Sequence, residues 1–140
     1  MGAAACDYAS DNWSSIAWPP QPNVQYFGRG PLQLSWNYNY GPFSQIMTGD
    51  STTLLVNPEL VQTNGYTAFS SALWFYMTPS DPKPSMHEVA TRLFVPNWDD
   101  TSRGLGPYFG TTTMVINGGL ECTTADGQES FGASQRRSHY

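Results

Sequence analysis

Apolar and polar positions along the chain recur mostly at helical rather than strand spacing. From Leu32 to Met47 the apolar and aromatic positions Leu34, Tyr38, Phe43, Ile46 and Met47 follow a loose helical period, with a break expected at Gly41-Pro42. Asn57-Pro58-Glu59-Leu60 reads as a helix start, with Asn57 as N-cap and Pro58 in the first helical position. The strongest pattern covers 64–78. Ala68, Phe69, Ala72, Leu73, Phe75, Tyr76 and Met77 there predict one broad buried stripe, ended by Thr78-Pro79. Ser85-Met86-His87-Glu88 has the capping-box pattern and predicts a helix to about Phe94. Residues 97–108 read as a turn-rich loop, 109–120 as a helix weakened by Gly118 and Gly119, and 128–140 as a helical tail. Upstream, residues 1–25 show no clear period. Trp18-Pro19-Pro20-Gln21-Pro22 must be extended, and Tyr26 to Pro31 reads as a tight turn. Strand signals are short, and the expected class is mainly α.

Composition narrows the ligand rather than the fold. Only 12% of residues are charged, 14% are aromatic, and the chain carries 13 glycines and 11 prolines. That is too aromatic for a disordered chain. It suits a neutral, hydroxyl-rich ligand, whose apolar faces take rings and whose hydroxyls take amides, although composition alone points first to a loop-rich domain with an aromatic core. A net charge of −5 argues against nucleic acid as a partner. No apolar run approaches a membrane span, and MGAAACDYAS lacks the basic flank and apolar core of a signal peptide. The expectation is therefore a start that lies further upstream.

Candidate chemistry by common motif is thin. Gly28-Arg29-Gly30 has Gln33 where a dinucleotide loop needs its third glycine, and His87-Glu88 is followed by Thr91 where a zinc helix needs a second histidine. His87 and His139 are far apart, so no metal and no cofactor is expected. His87 itself reads as a helix residue. Cys6 and Cys122 could form one disulfide or none, and Asn12-Trp13-Ser14 is a sequon of a kind that arises by chance.

Three longer segments carry a resemblance. YFGRGPLQLSWNYNYGP at 26–42, ALWFYMTPSDPKPSMHEV at 72–89 and VINGGLEC at 115–122 resemble, in that order and with NPELV at 57–61 between the first two, the family nineteen chitinases. The resemblance covers 18–140, with 1–17 poorly matched, and implies that residues 1–140 form part of a catalytic domain. It implies a lysozyme-like, two-lobed, α-rich fold, here incomplete on its N-terminal side. The implied activity is endo-cleavage of β-1,4 N-acetylglucosamine links with inversion, by a secreted, monomeric enzyme acting on chitin or chito-oligosaccharides.

Inversion needs a general acid and a general base about 6.5–9.5 Å apart, with water between base and sugar. By resemblance the acid lies in a His-Glu-Thr-type segment upstream of Trp18, and no such segment occurs here; the glutamates are Glu59, Glu88, Glu121 and Glu129. Only Asp7 and Asp11 are acidic near the base position, in surroundings that do not match, so the catalytic carboxylates stay unassigned. The cleft residues do carry over. Ser35 resembles a serine that holds the attacking water, against a plain helix-cap role. Gln33, Tyr38, Asn39 and Asn117 resemble sugar contacts, and Glu121 with Arg136 resembles a supporting charge pair, against a surface charge near Cys122. Trp18 resembles a cleft-edge ring, with a core role nearly as open, and Lys83 a cleft lysine, against a solvated loop lysine. Trp74, Phe75 and Tyr76 read as core.

Two departures bear on function. Pro20 stands where the family has a cysteine, and Cys122 has no downstream cysteine to pair with. The missing carboxylates leave a second reading open, a non-catalytic chito-oligosaccharide-binding protein.

Overall fold

A computed structural model describes residues 8–10, 14–122 and 130–139; Cys6, Asp7, Asp11, Asn12 and Glu129 lie outside them. Nine helices occur among the described residues: α1 Ser14–Ala17, α2 Asn37–Thr48, α3 Thr53–Val56, α4 Leu60–Thr63, α5 Gly65–Met77, α6 Met86–Ala90, α7 Trp98–Ser102, α8 Phe109–Glu121 and α9 Phe131–Ser138. Extended pairing among these residues is limited to isolated bridges, Arg29 with Leu34 and Ser80 with Lys83. The chain is therefore mainly α, as its periodicity predicts. No described helix is long and apolar enough to cross a membrane. Two compact units divide at Phe75 and Tyr76, within α5.

The first unit is built around a core of Tyr26, Leu34, Tyr40, Phe43, Leu54, Leu55 and Val61, all essentially removed from water. Each such side chain contributes roughly 1.5–3 kcal/mol by burial. Helix α2 supplies Tyr40 and Phe43 and packs on α1 and α3. The expected break at Gly41-Pro42 does not occur: α2 runs through Pro42. Proline forfeits one backbone bond there, and the burial of its neighbours Gly41 and Phe43 on the core face offsets the loss. Ile46, placed on the apolar side by spacing, is exposed.

Several helix boundaries differ from expectation for local reasons. Asn57 ends α3, its N–H bonding Thr53 O, and α4 begins only at Leu60 after a turn closed by Leu60 N to Asn57 O. The largest difference is in α5. Phe69, Leu73 and Met77 were expected in the buried stripe, yet they stand 70%, 68% and 49% exposed beside Tyr66, at 77%. The face turned inward instead carries Ser71, which is buried, and Trp74 and Phe75, which pack against the core. Apolar residues occupy most of the helix circumference, so periodicity could not choose between faces.

In the second unit Ser85 caps α6, accepting from Glu88 N while the Glu88 carboxylate accepts from Ser85 N, so the capping box forms as read. The helix stops at Ala90, short of Phe94, because Arg92 takes a left-handed turn (φ 62°) and Leu93 N returns to Glu88 O. The expected loop at 97–108 contains α7, started by a second box in which Asn97 and Asp100 exchange bonds. Met86 and Val89 of α6 are buried, and α8 packs against both α6 and α9.

Candidate functional site

The polar residues of the first unit are set out by a turn fixed from beneath. Arg29 and Leu34 exchange backbone bonds of 3.1 and 2.9 Å, which closes the loop 30–33 with Gly30 at φ 75° and Gln33 at φ 55°. Below it the Arg29 guanidinium is buried. It donates to Gln25 O, Phe27 O, the Tyr40 hydroxyl and Glu59 Oε1 (2.7 Å), and it lies 3.8 Å from the centre of the Phe27 ring. A planar fork with several donors is what so many acceptors require.

On this support Gln33 and Ser35 come together. A β-carbon built on Gly28 would lie 2.8 Å from Gln33 Oε1 and 3.2 Å from Ser35 Oγ, so both polar groups converge over a residue that has no side chain. Ser35 Oγ donates to Gln33 O at 2.8 Å, and Asn39 Nδ2 donates to Ser35 O at 2.8 Å. The N-cap of α2 is Trp36, and no side chain caps the helix, so Ser35 is not a helix cap. Tyr38 is half-buried with its ring stacked on Trp36, centroids 5.8 Å apart at 13°, and loss of water around it raises its phenol pKa. Trp18 also belongs to this unit. It packs against the core and over Gly41, where an added β-carbon would meet its ring at 2.6 Å, and it stays half-buried.

The second unit brings together Asn117, Glu121 and Arg136. Asn117 sits at a kink in α8 (φ −150°, ψ 29°) and its Nδ2 donates to Glu121 Oε1 at 2.8 Å. Arg136, from α9, grips the same carboxylate through Nε to Oε2 at 2.8 Å and a second nitrogen to Oε1 at 3.0 Å. The Arg136 bonds hold the Glu121 carboxyl below its usual range, aided by Asn117 and opposed by burial. Lys83 stands apart from this trio. It is exposed, reaches Val115 O only at 3.5 Å, and lines an open groove with Pro79, Pro84, Phe94 and Val95.

Among the described residues, the carboxyls whose protonation is displaced are Asp50, bonded by Thr52, Glu88, bonded by Ser85, and Glu121, and all are displaced downward. A general acid needs the opposite shift. Among the described residues no group of three or more His, Cys, Asp and Glu side chains gathers as a metal site would require, and Cys122 is an exposed free thiol. Sequence reasoning did not single out Arg29, Gly28 or Trp36. The Gly-Arg-Gly run marks the first two only as a turn, and nothing in the sequence marks Trp36.

The model of the chitinase class I family, glycoside hydrolase family 19, matches residues 2–138. The chain belongs to that family. It is 51% identical over 108 residues to Chitinase 9 of Oryza sativa, covering 77% of this chain and 31% of that one. It is equally 51% identical over 108 residues to Inactive chitinase-like protein 1 of Hevea brasiliensis, covering 77% and 33%. Among solved structures it is similar to the family 19, class IV chitinase of Zea mays, with 30% identity and a TM-score of 0.61, over 94% of this chain and 48% of the maize chain. The chain thus spans about a third of the length of the curated relatives it matches first. Its family 19 fold is the α-rich, lysozyme-like one that the motifs implied.

Proposed function

We propose that the chain carries sugar-contacting parts of an enzyme that hydrolyses chitin by endo-cleavage of β-1,4 N-acetylglucosamine links with inversion. The observation that carries the reading is the convergence of Gln33 and Ser35 over Gly28, in a chain of this family. The Ser35 hydroxyl proton is committed to Gln33 O, which leaves the oxygen lone pairs to accept from a water and orient it for attack. Gln33 and Asn39 offer amides to acetamido groups and ring hydroxyls, and Tyr38 offers a phenol and a ring face. Asn117 offers a further amide, while Glu121 and Arg136 fix its direction. Trp18, half-buried, keeps an edge for a sugar face, and the exposed ammonium of Lys83 can donate to hydroxyls.

The acid and base of inversion are assigned to no residue here. Without them hydrolysis is lost, since each such proton transfer is worth about 10²–10⁴ in rate. The substrate is a neutral polysaccharide outside the cell rather than nucleic acid or membrane lipid, and the chain acts on it as a monomer.

A second reading is favoured by one observation: identity to a relative named inactive equals that to one named chitinase. In it the chain binds chito-oligosaccharide without cleaving it. One experiment addresses both. Chitotetraose titrated into isotope-labelled protein should shift Gln33, Ser35, Tyr38 and Asn39 at millimolar ligand, about 4 kcal/mol of binding, with negligible product by mass spectrometry. Equal response to cellotetraose, or no response in a folded sample, overturns sugar recognition. Turnover well above a buffer control, abolished by Asp7→Asn or Asp11→Asn, overturns the absence of an assigned acid and base.

A further inference from the structure

The N-cap of α2 starts the helix through its backbone carbonyl but is held in a conformation that helix initiation does not require. Trp36 has φ 74° and ψ 138°, a combination that residues with side chains rarely adopt, and its side chain caps no N–H. The surroundings enforce it: Trp36 N bonds Tyr26 O at 2.8 Å, Trp36 O accepts from Asn39 N and Tyr40 N, and the Tyr8 ring sets its edge on the indole, 5.2 Å between centroids. What this geometry yields is the stack on Tyr38. Side chains two apart on a helix do not face each other. Here they lie nearly parallel, at 13°, because Trp36 is turned out of the helical region.

We propose that Trp36 is a positioning residue for Tyr38. Its left-handed backbone lays the indole against the Tyr38 ring and fixes that ring in the orientation in which it contacts an N-acetylglucosamine unit. This rests on the sugar-binding reading of Tyr38 given above. Tyr38 is the second residue of α2, where only the first turn of the helix restrains it. A ring held on one face by an indole has fewer orientations to lose on binding, and its phenol and free face are presented together.

Glycine suits the backbone geometry at 36 and is tolerated at an N-cap, so Trp36→Gly removes the ring without opposing the fold. In the ligand-free protein, the Tyr38 ring protons of the wild type should lie upfield from the indole ring current. They should move toward random-coil positions in Trp36→Gly and partly recover in Trp36→Phe. With chitotetraose, Trp36→Gly should weaken binding about three- to tenfold in a sample that remains folded at the temperature of the titration. In the Tyr38→Ala background the same change should have no further effect. Unchanged Tyr38 shifts in Trp36→Gly overturn the positioning role whatever the ligand does. An equal loss of affinity with and without Tyr38 means that Trp36 acts on its own, and overturns the proposal too. A wild type that moves Tyr38 normally between variants but ignores chitotetraose overturns the sugar-binding reading and leaves the ring contact standing.

Discussion

Arg136 holds Glu121 by two bonds from separate nitrogens, Nε to Oε2 and the second guanidinium nitrogen to Oε1, while the carboxylate is almost wholly buried and the guanidinium is over a third exposed. The pair ties α9 to the end of α8. Truncating Arg136 to Ala strands a buried carboxylate. Water reaching the Arg136 side reduces the full penalty for breaking a buried pair, so about 2 kcal/mol of stability should be lost in chemical denaturation.

The same pair sets an acid limit. Arg136 depresses the folded-state pKa of Glu121, so the pair's contribution is complete above the unfolded carboxyl value of about 4.3 and is lost as pH falls through the lower folded value. Asp50 and Glu88 are also depressed and add to the acid sensitivity of the wild type. Glu121→Gln should therefore be less stable than the wild type at pH 6, with the gap closing below about pH 4. Melting temperatures of both proteins across that range check it.

Arg29 and Glu59 form an ion pair with unequal partners. The arginine side chain is 1% exposed and the glutamate 57%. Arg29→Lys should cost about 3 kcal/mol, because one ammonium cannot serve Gln25 O, Phe27 O, the Tyr40 hydroxyl and Glu59 together. Glu59→Gln should cost less, about 1–2 kcal/mol, because its amide oxygen can still accept from the buried guanidinium and the glutamate side of the pair is open to water. Parallel urea melts separate the two outcomes.

Two close approaches give a contrast between stability and binding. Gly41→Ala drives a methyl into the Trp18 ring on the core side and should cost about 1–3 kcal/mol. Gly28→Ala pushes instead on Gln33 and Ser35, one exposed and one half-buried, which can move aside. It should lower chitotetraose affinity more than it lowers the melting temperature. Equal effects on both measurements, in both variants, would refute this division.

What the sequence disclosed and what it withheld follow from the range of each interaction. The α6 cap was legible because Ser85 and Glu88 bond each other within one turn. The α7 cap escaped notice because Asp100 replaces the longer acid of the usual box in a stretch otherwise rich in turn residues. Gln33, Ser35 and Asn39 stand out as candidates only through a long motif. The bonds that order them, Ser35 to Gln33 O and Asn39 to Ser35 O, depend on backbone angles at Gln33 and Trp36 that no side-chain pattern announces. The orientation of α5 was illegible for another reason: it depends on what lies beside the helix, and Phe69 and Trp74 look alike to a periodicity.

The apolar side of α5 that faces water has a thermodynamic consequence. Tyr66, Phe69, Leu73 and Met77 are already largely hydrated in the native chain, so unfolding exposes little new apolar surface along that side. Apolar exposure is what gives unfolding its large heat-capacity increment, ordinarily about 12–15 cal/mol/K per residue. In scanning calorimetry the increment for this chain should fall below that range, and its stability should vary with temperature along a correspondingly shallow curve.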